Sequence, residues 1–225
     1  MINVIKTAIP GVVIIEPKVF GDARGYFFES FSERDFNEAM TPILGHGIKF
    51  VQDNESMSSY GVMRGLHFQT PPFSQSKLVR CVKGAVLDVA VDIRKGSPTY
   101  GQHVECLLCA HDEEGKRIAA EWADSEWAKS LPKQGGLEGL QFFVPRGFAH
   151  GFAVLSETAV FQYKCDNYYA LANDGGISIK DDSLGIDWCI PVEKALLSEK
   201  DTKHTLLKDF DSPFSIEMDL YPEFS

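Results

Sequence analysis

Roughly nine short runs of β-branched and aromatic residues, each bounded by Gly, Pro or Asp, restrict this chain to a largely β architecture. They are Val12–Ile15, Tyr26–Phe31, Val62–Phe68, Lys77–Val82, Ala85–Ile93, His103–Cys109, Leu140–Val144, Gly151–Leu155 and Ala159–Tyr163. Short strands at such close spacing point to an all-β barrel or a double-sheet jelly roll. Two of the runs flank a turn at Lys83-Gly84. Residues Asp88–Asp92 alternate polar and apolar, the pattern of a half-buried antiparallel strand. Helical signal is sparse. Ser32–Met40 begins with an N-cap residue and an acidic first turn. Residues 116–131, with Ile118, Trp122, Trp127 and Leu131 among charges, fit a second helix. After about residue 170 the chain reads as loop-rich.

The 225 residues carry a hydrophobic fraction of 44%, a charged fraction of 24% and a net charge of −10. These values fit one soluble globular domain over 1–225. The negative charge argues against a nucleic-acid binder, while leaving room for a local cationic pocket that takes one small anion. No apolar run approaches the length of a membrane helix, and the first residues lack the pattern of a signal peptide. The odd, scattered cysteines at 81, 106, 109, 165 and 189 suit a reduced, cytoplasmic protein. Cys106 and Cys109 match a C-x-x-C spacing, but they lie in a strand-like run where residues three apart face opposite sides, so a structural role is expected.

Arg64-Gly-Leu-His-Phe-Gln69 is the stretch richest in chemistry. Arg64 and His67 interrupt an apolar strand, where burying polar groups is expensive. A cation there can hold an anion, and an imidazole can move a proton near neutral pH. Both can enter one pocket only if Gly65 bends or bulges the strand. Around them, Lys77 and Arg80 add cations, Gln52-Asp53-Asn54 adds hydrogen-bonding groups, and Arg24 and Glu29 flank a glycine-bounded turn. This inventory suits an anionic, hydroxyl-rich ligand. The tyrosines Tyr163, Tyr168 and Tyr169 offer a proton donor or a stacking face. Lys200-Asp201 reads locally as a surface ion pair.

Pro145-Arg-Gly-Phe-Ala-His150 resembles the second cupin motif, whose histidine faces the barrel interior. The first metal-binding cupin motif needs His-x-His and a nearby Glu. Here His67 is followed by Phe68 and Gln69, with no carboxylate at ligand spacing, so no metal is expected.

Longer motifs extend the likeness. Phe20–Glu29, Phe50–Asn54, Val62–Gln69, Lys77–Arg80, Asp88–Asp92, Pro145–Phe152 and Leu197–Asp201, in that order, resemble the dTDP-4-dehydrorhamnose 3,5-epimerase family. The likeness runs from about residue 2 to about residue 205. It implies a cupin-type jelly-roll β-barrel with a few short helices. It also implies a homodimer without metal or cofactor, and a nucleotide-linked 4-keto-6-deoxyhexose as substrate.

By the same resemblance, His67 is the base that removes the C3 and C5 protons, and Asp201 holds its imidazole. Tyr163 is the acid on the opposite face, and Lys77 stabilises the enolate at the C4 oxygen. Arg24, Arg64 and Lys200 fall near the diphosphate. Glu29, Gln52, Asp53 and Asn54 bind the nucleotide, partly across a dimer interface. His150 lies in the sugar pocket, Tyr169 stacks on thymine, and Asp174 stands where the family usually has Glu.

The chain departs from the family pattern in a long insertion near 110–139, which can cover the pocket mouth, extend a dimer or reach another enzyme. The expected reaction converts dTDP-4-dehydro-6-deoxy-D-glucose to dTDP-4-dehydro-L-rhamnose. The alternatives are a C3-only epimerase of a related sugar, a non-catalytic nucleotide-sugar-binding cupin and, with fewest residues in its favour, a metal-dependent cupin oxygenase.

Overall fold

The computed structural model describes residues 2–224. One antiparallel sheet carries, in spatial order, β1 (Ile2–Lys6), β2 (Val13–Pro17), β10 (Gln141–Val144), β7 (Lys77–Lys83), β12 (Thr158–Cys165) and β5 (Gln52–Ser59). The other carries β13 (Asp174–Gly176), β6 (Met63–Gln69), β11 (Phe148–Val154), β8 (Ala85–Asp92) and β9 (His103–Cys109). A separate hairpin pairs β3 (Val19–Asp22) with β4 (Gly25–Phe28). The two sheets face one another across a core that joins Val79, Phe142 and Phe161 of the first to Val86, Phe148 and Phe152 of the second. This is a cupin-like jelly roll, a double-sheet arrangement that hides most strand edges.

Each outer face is covered in part as well. The α1 helix (Glu33–Leu44) lays Phe36 and Met40 against Val13, Leu78 and Phe143 on the back of the first sheet. Its limits follow from chemistry: Ser32 Oγ accepts from the Asp35 N–H, and Gly45 closes the helix at φ +84°. The helix runs four residues beyond Met40, because Ile43 and Leu44 find the same apolar surface. On the back of the second sheet, Ile177, Ile179, Leu184 and Phe214 from the loop-rich C-terminal part pack against Leu87, Val89 and Val91.

That second cover corrects the reading of Asp88–Asp92 as half-buried. Every residue of β8 is buried, with Val86 and Ala90 facing the inner core and Leu87, Val89 and Val91 the outer one. The two aspartates are internal and partnered rather than solvated: Asp88 meets His150, and Asp92 accepts from Arg94, Ser97 and Thr99.

Strands β1, β3, β5 and β13 were not expected from the sequence. The polar sequence Gln-Asp-Asn-Glu-Ser-Met-Ser-Ser of β5 becomes a strand because it pairs along the whole length of β12. The 116–131 segment folds as two helices, not one: α2 (Glu113–Trp122), capped by Asp112, and α3 (Glu126–Ser130), capped by Ser125. Ile118, Ala119, Ala128 and Leu137 of this region join the inner core at the end of β8 and β9, with Trp122 and Trp127 packed edge to face. The segment plugs that end of the sandwich, and none of its residues lines the cavity described below. Cys106 and Cys109 are buried free thiols. None of the described helices is long and apolar enough to cross a membrane.

Candidate active site

A local irregularity in β6 makes the site possible. Between the ladder pairs His150↔His67 and Phe152↔Arg64, β11 advances two residues while β6 advances three. The surplus is taken up at Gly65, whose φ is +126°. A Cβ there would sit 2.5 Å from Gly151 Cα and 2.7 Å from the His150 carbonyl oxygen, so only glycine fits. Across this bulge Met63 and Leu66, three residues apart, both enter the outer core. Arg64 and His67 therefore both turn inward, and both line a cavity of about 440 Å³.

The cavity takes its walls from both sheets and from residues 196–201. His67 Nε2 lies 2.5 Å from Asp201 Oδ1, and Ser198 Oγ donates to Asp201 Oδ2 at 2.8 Å. Burial of Asp201 works against its charge, but the hydrogen bonds from His67 and Ser198 outweigh it and hold the carboxyl below its ordinary value of 3.8. An ionised carboxylate has no proton to give. In the neutral imidazole the contact therefore assigns the tautomer: Nε2–H donates to Asp201, and Nδ1 carries the lone pair.

From the opposite sheet, Tyr163 of β12 and Lys77 of β7 line the same space, with Lys77 Nζ 5.8 Å from the Tyr163 ring centre. Burial pushes the Tyr163 phenol above its ordinary value of 10 and keeps it protonated. On the cavity floor His150 Nε2 meets Asp88 Oδ1 at 2.7 Å. Asp88 is completely buried, and burial raises its pKa against the opposing pull of His150. Arg64 donates through Nε and Nη2 to Ser58 Oγ. At the rim Lys200 is ion-paired to Asp174, whose Oδ2 also accepts from Tyr169 Oη at 3.0 Å.

Seven of the residues picked out in the sequence thus share one cavity: His67, Asp201, Tyr163, Lys77, His150, Arg64 and Lys200. Gln52 and Asn54 lie beside it on β5, joined by a 3.1 Å hydrogen bond, and Gln52 Oε1 accepts from the Tyr169 N–H. Asp53, between them, turns to the other face of the strand and pairs with Lys164 at 2.9 Å. Arg24 sits in the tip of the β3–β4 hairpin, fully exposed and forked onto Asp22, and exposed Glu29 follows that hairpin. Asp53, Arg24 and Glu29 do not reach this chain's cavity.

Two residues escaped the sequence reading. Asp88 looked like the solvent phase of an alternating strand. His204 carries no motif, yet lies on the turn that follows Asp201. The donor atoms of His67, Asp201 and His204 all fall within 4.8 Å of one another. Sequence spacing leaves His67 without a carboxylate, and folding supplies one from 134 positions away.

The family model described as dTDP-4-dehydrorhamnose 3,5-epimerase matches residues 6–126 and 136–209, and the break falls inside the 110–139 segment. The dTDP-4-dehydrorhamnose 3,5-epimerase of Shigella flexneri is 48% identical over 209 residues, covering 93% of this chain and 98% of its own. The crystal structure of the enzyme of that name from Elizabethkingia anophelis superimposes with a TM-score of 0.75 at 44% identity, covering 94% of this chain and 99% of its own. The dTDP-6-deoxy-D-glucose-3,5-epimerase of Legionella pneumophila, solved in complex with dTDP-4-keto-L-rhamnose, gives 0.74 at 41% identity, covering 94% and 95%.

Proposed function

The chain belongs to the dTDP-4-dehydrorhamnose 3,5-epimerase family, and on that premise we propose that its cavity inverts C3 and C5 of the sugar with His67 as base and Tyr163 as acid. The protein is an isomerase of dTDP-L-rhamnose synthesis. It converts dTDP-4-dehydro-6-deoxy-D-glucose to dTDP-4-dehydro-L-rhamnose.

The observation that carries the mechanism is the His67–Asp201 contact, which leaves Nδ1 as the only nitrogen able to accept a proton. The protons at C3 and C5 are acidic because the C4 carbonyl takes up the charge as an enolate. Lys77 supplies a preorganised cation for that oxygen. Tyr163, on the facing sheet, returns a proton to the opposite side of the ring, which inverts the centre. Each inversion leaves a His67 imidazolium, stabilised by Asp201, and a Tyr163 phenolate, so both groups exchange with solvent before the second centre reacts.

The remaining binding groups follow the chemistry of the substrate. Arg64 and Lys200 offer charge to the diphosphate, His150 a polar contact to the sugar, and Tyr169 a ring for thymine, with Asp174 tying Tyr169 to Lys200. Gln52 and Asn54 face the nucleotide. Arg24, Glu29 and Asp53 serve the site only in a homodimer. Phe20, Tyr26 and Phe27 on the β3–β4 hairpin are strongly exposed, which supports its insertion into a second copy. Five free thiols and a net charge of −10 support a cytoplasmic enzyme that does not bind nucleic acid. The chemistry proposed uses no cofactor.

The test is proton exchange. With dTDP-4-dehydro-6-deoxyglucose in deuterated water, NMR should show deuterium at both C3 and C5 together with the inverted product. Label at C3 alone selects a monoepimerase, and no exchange by folded protein refutes the assignment for this sugar.

A further inference from the structure

Asp201 opens a short 3-10 turn, Asp201–Lys203, and His204 ends it. Residues three apart in such a turn lie on one side, so the Asp201 carboxylate and the His204 imidazole face the same way. His204 Nε2 lies 3.8 Å from Asp201 Oδ1, the oxygen already shared with His67 Nε2. The two imidazoles meet edge to face, with ring centres 5.7 Å apart. His204 Nε2 is buried and has no hydrogen-bond partner among the described residues. It rests on Gly176, where a Cβ would come within 2.6 Å of it, so the glycine makes room for the ring. A buried ring nitrogen without a hydrogen-bond partner is costly and rare in native proteins, and it calls for an occupant.

We propose that His67, Asp201 and His204 form an inhibitory site for a divalent transition ion of the zinc class. Two imidazoles and one carboxylate are a common three-ligand set for such ions, with a further position left open. Around a tetrahedral zinc, nitrogen and oxygen donors stand about 3.3 Å apart. The His67–Asp201 and His204–Asp201 separations of 2.5 and 3.8 Å bracket that value, and all three donors lie within 4.8 Å. Small rotations of the side chains suffice. Hard ions such as magnesium prefer oxygen ligands and do not fit this donor set.

The consequence for the reaction follows from the tautomer. A metal on Nε2 displaces the hydrogen that His67 donates to Asp201. The neutral imidazole then carries its proton on Nδ1 and has no lone pair for the substrate. Metal occupancy and base catalysis exclude one another. This inhibitory half rests on the reading of His67 as the base, while the metal site does not.

The experiment separates the two. Metal-stripped protein is titrated with Zn²⁺ by calorimetry, and with Co²⁺ by its visible absorption. Epimerase activity is followed in parallel, each protein scaled to its own metal-free rate. The wild-type chain should bind one ion and lose activity as it fills, and chelation should restore the rate. His204→Gln should weaken binding by at least ~10-fold and shift the inhibition curve by the same factor, since even an outer-shell change costs that much. His204→Asn serves as a second variant, with circular dichroism checking the fold of each. No binding by wild type, or unchanged affinity in both variants, overturns the site. Binding that depends on His204 but leaves the rate untouched keeps the site and overturns the inhibition, and with it the role of His67.

Discussion

His67 and Asp201, 134 positions apart in the chain, meet at 2.5 Å between Nε2 and Oδ1. The contact fixes which nitrogen of the ring is free. Asp201→Asn therefore tests more than a lost charge: an amide can donate to Nε2 and so force the proton onto Nδ1. Deuterium wash-in at C3 and C5 should fall by about 10²–10⁴ in both Asp201→Asn and His67→Asn, with nucleotide affinity largely kept. Calorimetry with dTDP checks the second point.

Tyr163 and His67 approach the cavity from different sheets, which separates removal of a proton from its return. Tyr163→Phe should still let His67 take and restore protons on one face. Wash-in of deuterium should persist while formation of inverted product falls by about 10²-fold or more. Because burial raises the Tyr163 phenol above 10, loss of its proton should not limit the wild-type rate until pH exceeds 10. A pH–rate profile of product formation shows whether it does.

Gly65 sits against Gly151 and the His150 carbonyl with φ +126°. Gly65→Ala combines a backbone conformation unsuited to alanine with a clash against backbone. It should cost about 2–4 kcal/mol in denaturant unfolding. The variant should also lose activity out of proportion to stability, since the bulge aims both Arg64 and His67.

Arg146 anchors the C-terminal tail. Its buried guanidinium donates to Asp166 Oδ2 at 3.0 Å and to the Leu220 carbonyl at 2.7 Å, and it stacks on Tyr221. Arg146→Met leaves Asp166 buried without its cation and should destabilise the fold by about 3–5 kcal/mol. Adding Asp166→Leu should recover part of the loss in thermal unfolding.

Asp92 gives a signed pH effect. Burial opposes its charge, but hydrogen bonds from Arg94, Ser97 and Thr99 prevail and keep its pKa below the ordinary 3.8. A folded-state pKa below the unfolded one means a stabilising contribution that is complete above pH 3.8 and lost as pH falls through the lower, folded value. Asp92→Asn should be less stable at neutral pH and show a flatter acid limb in denaturant midpoints.

Much of the fold was legible because strands built from Val, Ile and Phe advertise themselves locally. Lys77–Lys83, Ala85–Asp92 and His103–Cys109 stand within a residue of where their composition puts them. The β5 strand was not legible, because its polar sequence is made a strand by β12 rather than by its own propensity. Asp88 was misjudged for a related reason: alternation shows that two faces differ, but not that both are covered.

The sequence by itself determined the strand-rich architecture, the polar interruptions at Arg64 and His67, and the requirement that Gly65 break the strand between them. These are local matters of side-chain period and backbone sterics. Local pattern did not say which groups share the cavity: the family resemblance grouped His67 with Asp201, Tyr163 and Lys77, and only the tertiary structure decided how they meet. It brought Asp201 and His204 to His67, set Tyr163 and Lys77 on the facing sheet, and turned Asp53 away from Gln52 and Asn54. Those placements depend on strand pairing and chain reversal across long separations, where distance along the sequence carries no information about distance in space.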